Sequence, residues 1–206
     1  MLNVRATASE RRRALPGDNF LINAAGTVMH AVTIATPPAV LWPWLVQMGA
    51  GRAGWYSYDW IDNDGEPSAE RIVAELQRLC VGDIMPSLPG ATDSFVVAAI
   101  TPDRDLVLTV AAADGSVLAS WEFFLEAVEA RSTRLMVRGR VGALWPGGSG
   151  EMLSSEPRLI EGIYWLLARI PRCLMIPAAI FGHGLMQTRQ LQSIKRRAER
   201  AEVLPA

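Results

Sequence analysis

The apolar positions change period along the chain, and each regime predicts a different kind of element. Residues 28–35 are rich in β-branched side chains and read as a strand. That strand stops at Thr36-Pro37-Pro38, where Thr36 can cap and the prolines can open a helix. Val40, Leu41, Trp44, Leu45 and Met48 then recur at helical spacing until Gly49, with Pro43 expected to bend the helix or delay its start. Residues 55–61 read as a short helical or turn region and residues 62–66 as an acidic loop. Ser68 is placed to cap a further helix at 69–79, in which Ile72, Leu76 and Leu79 share a face.

From Val81 the period falls to two, punctuated by Gly82-Asp83, Pro89-Gly90, Pro102-Asp103 and Asp114-Gly115, which is the pattern of antiparallel strands. The clearest pair is 117–128 with 133–143. Trp121, Phe123 and Leu125 share one face with Leu135, Val137 and Gly139. Closing this hairpin around 129–132 sets Glu126 near Arg134, Glu122 near Arg138 and Ser120 near Arg140, and the spacing predicts a solvated ladder of charges on the outer face. After a turn at 146–150 comes a long helical tail: an apolar stretch at 159–170, a segment broken by Pro171 and Pro177, and a final helix at 185–200. The first 25 residues carry neither period and are expected to form a loose arm. Strand, short helices, several antiparallel strands and a long C-terminal helix make an α+β domain in which a curved sheet grips one helix.

Composition narrows the partners. The chain has 206 residues, half of them apolar, which suffices to bury a core without disulfides or a structural metal. Its 20 basic residues stand against 21 acidic ones, and its arginines form no stripe, so no nucleic-acid partner is expected. Cys80 and Cys173 are far apart and form no framework, which points to a reducing cytoplasm. Arg11, Arg12 and Arg13 are followed by Pro16, Gly17, Asp18 and Asn19 where an export signal would be apolar. The most apolar tail, 159–188, is interrupted by Glu161, Arg169 and Arg172, and its longest uncharged run, 173–188, falls short of the roughly 20 residues a spanning helix needs.

Catalytic signatures are sparse. His30 and His183 are the only histidines, which excludes HExxH and clustered His/Cys metal sites, so neither metal nor cofactor is expected. Asp62-Asn63-Asp64-Gly65 lacks the register and the twelfth-position glutamate of a calcium loop. Gly147-Gly148-Ser149-Gly150 is neither a nucleophile elbow nor a phosphate loop. The informative stretch is 49–63, which packs Trp55, Tyr56, Tyr58 and Trp60 into six positions beside Arg52 and Asp59. Rings with polar tips suit the wall of a cavity and also suit the end of a core.

The succession LPGD at 15–18, TPPAVLWPWLVQMG at 36–49, GRAGWYSYDWIDN at 51–63, VGD at 81–83 and SIKRRAE at 193–199 resembles a bacterial branch of the SRPBCC superfamily. This is the START-like, helix-grip group that includes polyketide cyclases/dehydrases and lipid-transfer domains. The resemblance implies a curved antiparallel sheet wrapped around a long C-terminal helix, with a hydrophobic pocket between them. The organisation expected is an N-terminal arm at 1–25 and a single START-like domain at 26–201, with an inserted hydrophobic helical segment at 144–182. Either that segment covers the pocket mouth, or residues 159–185 offer a surface to a membrane or partner.

The expected ligand is a hydrophobic or aromatic small molecule, lipid-like or polyketide-like. It would be lined by Trp55, Tyr56, Tyr58, Trp60, Trp121, Phe123, His183 and Met186, with Arg52 and Asp59 as polar orienters. The alternative is a cyclase/dehydratase-like enzyme in which His183, with Asp59 or Tyr58, does acid-base work. A third reading is a membrane-peripheral or partner-binding module.

Overall fold

The computed structural model describes residues 4–88, 94–112, 114–142 and 172–203, with side chains in the last stretch from 181 to 201. The expected turn at 146–150 and the apolar stretch at 159–170 lie outside the described residues, as do the first 28 residues of the 144–182 segment.

Among the described residues six strands form one antiparallel sheet: β1 (Gly26–Ile34), β2 (Ile84–Pro86), β3 (Ser94–Thr101), β4 (Asp105–Ala111), β5 (Val117–Glu129) and β6 (Ser132–Val141). Their spatial order is β1-β6-β5-β4-β3-β2, so the chain's first strand closes one edge beside its last. The hairpin of β5 and β6 has the register that alternation predicts, pairing Glu126 with Arg134, Glu122 with Arg138 and Ser120 with Arg140. Its inner face carries Phe123, Leu125, Leu135 and Val137, all buried in the main core with Ile34, Leu41, Leu45 and Met85. The C-terminal helix α4 (Arg172–Val203; the shorter helices α1 to α3 precede it) lies against β1 and against α2 (Pro38–Val46). It runs unbroken through Pro177, Gly182 and Gly184, where sequence predicted an interruption before residue 185.

The predicted helix at 69–79 is a single 3-10 turn, Ala74–Leu76. Side chains from elsewhere take the backbone groups that helical bonds would use. Gln47 Nε2 donates to Arg71 O and its Oε1 accepts from Val73 N, while Arg197 Nε donates to Ala69 O. A peptide so satisfied gains little from coiling. The region at 55–61, read as short helix or turn, carries one helical turn, α3 (Asp59–Asp62).

The larger departure concerns residues 4–25. Instead of a loose arm they form α1 (Ala8–Arg12) and a 3-10 turn, Pro16–Phe20, laid over the outer face of the sheet. Ala6 and Leu15 are buried there with Ala31, Phe124 and Met136, in a second core on the far side of the sheet from the first. The charge ladder is therefore not solvated, and its arginines bond the arm rather than the facing glutamates. Arg134 pairs with Glu10 at 2.7 Å, and Arg138 and Arg140 both pair with Asp18. Arg138, only 4% exposed, also donates to the backbone carbonyls of Glu10 and Arg13. Asp18 stays below its ordinary pKa: burial raises it, but the Leu15 N–H and the two guanidiniums overcome that rise.

Glu122 is 2% exposed beneath this cover, where a Cβ on Gly17 would lie 2.6 Å from its carboxylate oxygen. Burial pushes its pKa up to about 7, against the Gly17 backbone and Arg138 that favour the charge.

Two outcomes follow from the covered face. Asp18→Ala leaves Arg138 buried without its carboxylate and should cost about 3 kcal/mol in urea unfolding, whereas Glu126→Ala, which breaks only the exposed pair with Arg13, should cost less than about 1 kcal/mol. Because the folded state holds Glu122's proton to higher pH than the unfolded chain does, the contribution of Glu122 to stability falls as pH rises from about 4.5 to about 7. Glu122→Gln should abolish that fall, gaining on the parent by up to about 3 kcal/mol at pH 8 and by little at pH 4, in unfolding curves compared pairwise. Asp62, also pushed up to about 7, and the two histidines, both pushed down, titrate across this window in both proteins and cancel in the difference.

Candidate functional site

The site is built where the loop after α2, the inner face of β3 and β5, and helix α4 meet. Gly49 and Gly54 close that loop by exchanging backbone bonds, Gly49 N to Gly54 O at 3.2 Å and Gly54 N to Gly49 O at 3.0 Å. Both adopt positive φ, 130° and 76°, so side chains there would be strained. Arg52, one of the expected orienters, turns back on α2 and donates from Nε to Met48 O and from Nη2 to Val46 O. Two of its N–H groups thereby cap that helix end.

Tyr56 holds a φ of 60°, uncommon for any residue but glycine, and is 1% exposed. Its hydroxyl accepts from Gln47 Nε2 at 2.7 Å, its N–H donates to Ser68 Oγ, and the Arg197 guanidinium lies 4.8 Å from its ring. Burial pushes the phenol up to about 12, so Tyr56 serves as a structural pin rather than an acid. Asp59 accepts from the N–H and the hydroxyl of Ser68, which ties the loop to itself. Trp60 is 73% exposed and Tyr58 36% exposed, so neither lines the interior as sequence expected. In the single turn of α3, Asp62 takes the inward position at 3% exposed, and Trp60, two residues earlier, points away.

Four of the expected residues do come together. Trp55, Trp121, Phe123 and His183 form an aromatic run with Phe95: Trp55 to Trp121 is 5.3 Å between ring centroids, Trp121 to Phe95 5.3 Å, Trp121 to Phe123 4.8 Å and Trp121 to His183 6.0 Å. Phe123 and Trp55 are buried, while Phe95, Trp121, His183 and the neighbouring Met186 keep part of their surface open. The polar tips of the indoles are already bonded. Trp55 Nε1 donates to Pro86 O and Ser87 O, and Trp121 Nε1 donates to Gln187 Oε1 at 2.9 Å.

From Gln187 the bonding continues inward. Gln187 Nε2 donates to Gln190 Oε1 at 2.7 Å, and Gln190 Nε2 to Trp55 O at 2.9 Å. Sequence reading missed both glutamines and Gln47. The available signal was three uncharged amides on otherwise apolar helical faces, where a buried amide must find partners. His183 sits on α4 with its Nε2 3.5 Å from the position a Cβ would take on Gly139. Burial, helped by His30 at 6.4 Å between ring centroids, pushes His183 down to about 4, so its imidazole is neutral at physiological pH.

Among the described residues no helix is long and apolar enough to cross a membrane, and no three His, Cys, Asp or Glu side chains are placed to hold a metal ion. Phe181 and Leu185 are exposed on α4.

No protein-family model and no curated protein matches the chain. Solved structures similar to it include protein MLL2253 from Mesorhizobium loti, 15% identical over 85% of this chain and 98% of that one, with a TM-score of 0.43. Protein CV1439 from Chromobacterium violaceum is 10% identical over 84% of this chain and 96% of that one, at 0.42. The Polyketide_cyc-like protein Cgl2372 from Corynebacterium glutamicum is 15% identical over 86% and 91%, at 0.38. With six antiparallel strands in the order given above and a long C-terminal helix laid along β1 and α2, the chain has the helix-grip fold that its resemblance to the SRPBCC superfamily implies.

Proposed function

We propose that the protein binds an apolar or aromatic small molecule against the wall made by Phe95, Trp121, His183 and Met186, between the sheet and α4. The observation that carries this reading is that both indole N–H groups of the run are bonded internally while ring surface stays open. A ligand there meets aromatic faces and few free hydrogen-bonding groups, which favours apolar and flat molecules over polar ones. The neutral state of His183 fits a wall that must not carry charge.

Binding is preferred to the cyclase-like alternative for the same reasons. Asp59 is occupied by Ser68, Tyr58 lies on the exposed side of its turn, and the rings that face His183 are those of His30 and Trp121. An imidazole held down to about 4 is also a poor proton donor at neutral pH.

The test uses the uncharged fluorescent probe N-phenylnaphthylamine with purified full-length protein. Saturable binding is expected, weakened about tenfold or more in Trp121→Ala and much less in Trp121→Phe, which keeps a ring face. Absence of saturable binding, or equal affinity in Trp121→Ala with its fold intact by circular dichroism, would overturn the reading.

A further inference from the structure

A second concavity lies away from the Trp121 wall, at the free edge of β1. Residues 4–6 run along that edge, held by the isolated bridge between Arg5 and His30 and by the bond from Ala31 N to Val4 O at 3.0 Å. Between this segment, α1 and α4 opens a cleft of about 510 Å³, within the range of small-molecule sites. It is lined on one side by Arg5 and Arg11, on another by His30 and Met29, and by Thr188 of α4.

Its chemistry is one-sided: two arginines and a histidine border it, and among the described residues no Asp or Glu does. The acidic residue next in sequence to Arg11 is Glu10, and its carboxylate is committed to Arg134 and to the N–H of Thr7. It does not neutralise the cleft. Arg11 is anchored by one bond, Nη1 to Ala6 O at 2.6 Å, which leaves most of its guanidinium fork for another acceptor. Nδ1 of His30 is buried with no hydrogen-bond partner, and burial alone holds this imidazole below its ordinary pKa. That nitrogen is closed to a water-sized probe, so His30 borders the cleft with the rest of its ring. Thr188 already donates its hydroxyl to Gly184 O, so it presents lone pairs and a methyl rather than a free donor.

We propose that this cleft is a binding site for the carboxylate of a small organic acid, with Arg11 as its principal cation and the Met29 side supporting an apolar body. The arginine fork matches two carboxylate oxygens, and a guanidinium retains its charge throughout the physiological range. Met29, Val4 and Ala6 give the cleft an apolar margin, so the occupant carries a short apolar group beside its charge. The site's cation, Arg11, lies outside the aromatic wall, while His30 adjoins both, its ring 6.4 Å from that of His183.

Benzoate and inorganic phosphate serve as probes, followed by NMR of the His30 and His183 imidazole protons and the Arg11 Hε in full-length protein. Benzoate should shift His30 and Arg11 saturably at millimolar concentrations, raise the His30 pKa, and bind about tenfold more weakly to Arg11→Ala, with Arg11→Lys between the two. Trp121→Ala should leave the benzoate affinity read at Arg11 Hε unchanged, which separates this site from the aromatic one. Phosphate binding more tightly than benzoate would overturn the assignment to carboxylates. Absence of saturable shifts with either anion, an unchanged affinity in Arg11→Ala, or loss of the benzoate response in Trp121→Ala would overturn the site itself.

Discussion

The chain of amide hydrogen bonds from Trp121 through Gln187 and Gln190 to the carbonyl of Trp55 is the contact on which the rest of the inner face depends. It ties β5, α4 and the loop after α2 together across an apolar interior. Because every member is bonded, sliding the helix by one residue would leave several polar groups buried without partners, each costing about 1–3 kcal/mol. Close packing of Leu191, Ile194 and Ala198 resists such a slide as well, and the amides add directional partners to that fit. With the register fixed, Leu191, Ile194 and Ala198 enter the core and Arg197 lies over Tyr56. The strained backbone of Tyr56 is held in the same way, by Gln47, Ser68 and Arg197 at once.

The sheet is covered on both faces, and the two covers work by different physics. Inside, α4 buries apolar surface around a few satisfied amides. Outside, the segment from Val4 to Phe20 contributes small apolar contacts and is fastened mainly by charge, with Arg134 and Arg138 reaching both carboxylates and backbone of the arm. A glutamate pushed up to about 7 sits beneath the outer cover, facing Arg138 and the backbone at Gly17, so that cover is sensitive to pH. The arm also makes the cleft at the edge of β1, since Arg5, Ala6 and Arg11 all come from it.

Much of this was legible in the alternation of β5 and β6, where period two fixes which residues face each other and the register follows once the hairpin closes. Phe124 and Met136 were the overlooked signal: two large apolar residues among the outward-facing arginines mean that something covers that face. The helix expected at 69–79 failed because Gln47 and Arg197, remote in sequence, capture its backbone. Local propensity cannot register such partners. Trp60 failed for a simpler reason. A single helical turn has one inward side, and the buried Asp62 occupies it. Aromatic composition located the loop of the candidate site, whereas the wall itself came from Phe95 and Trp121 on strands and His183 on the helix.

A preformed aromatic wall requires that the amide chain stay closed in solution, and the Trp121 indole proton reports on it directly. Hydrogen exchange of that proton, followed by NMR on the unliganded protein at neutral pH, should be slower than in an exposed indole by a factor approaching that of the core amides around Leu191 and Ile194. Exchange at the rate of a freely exposed tryptophan would mean that Gln187 does not hold the ring, and that the helix is not locked over the sheet as described.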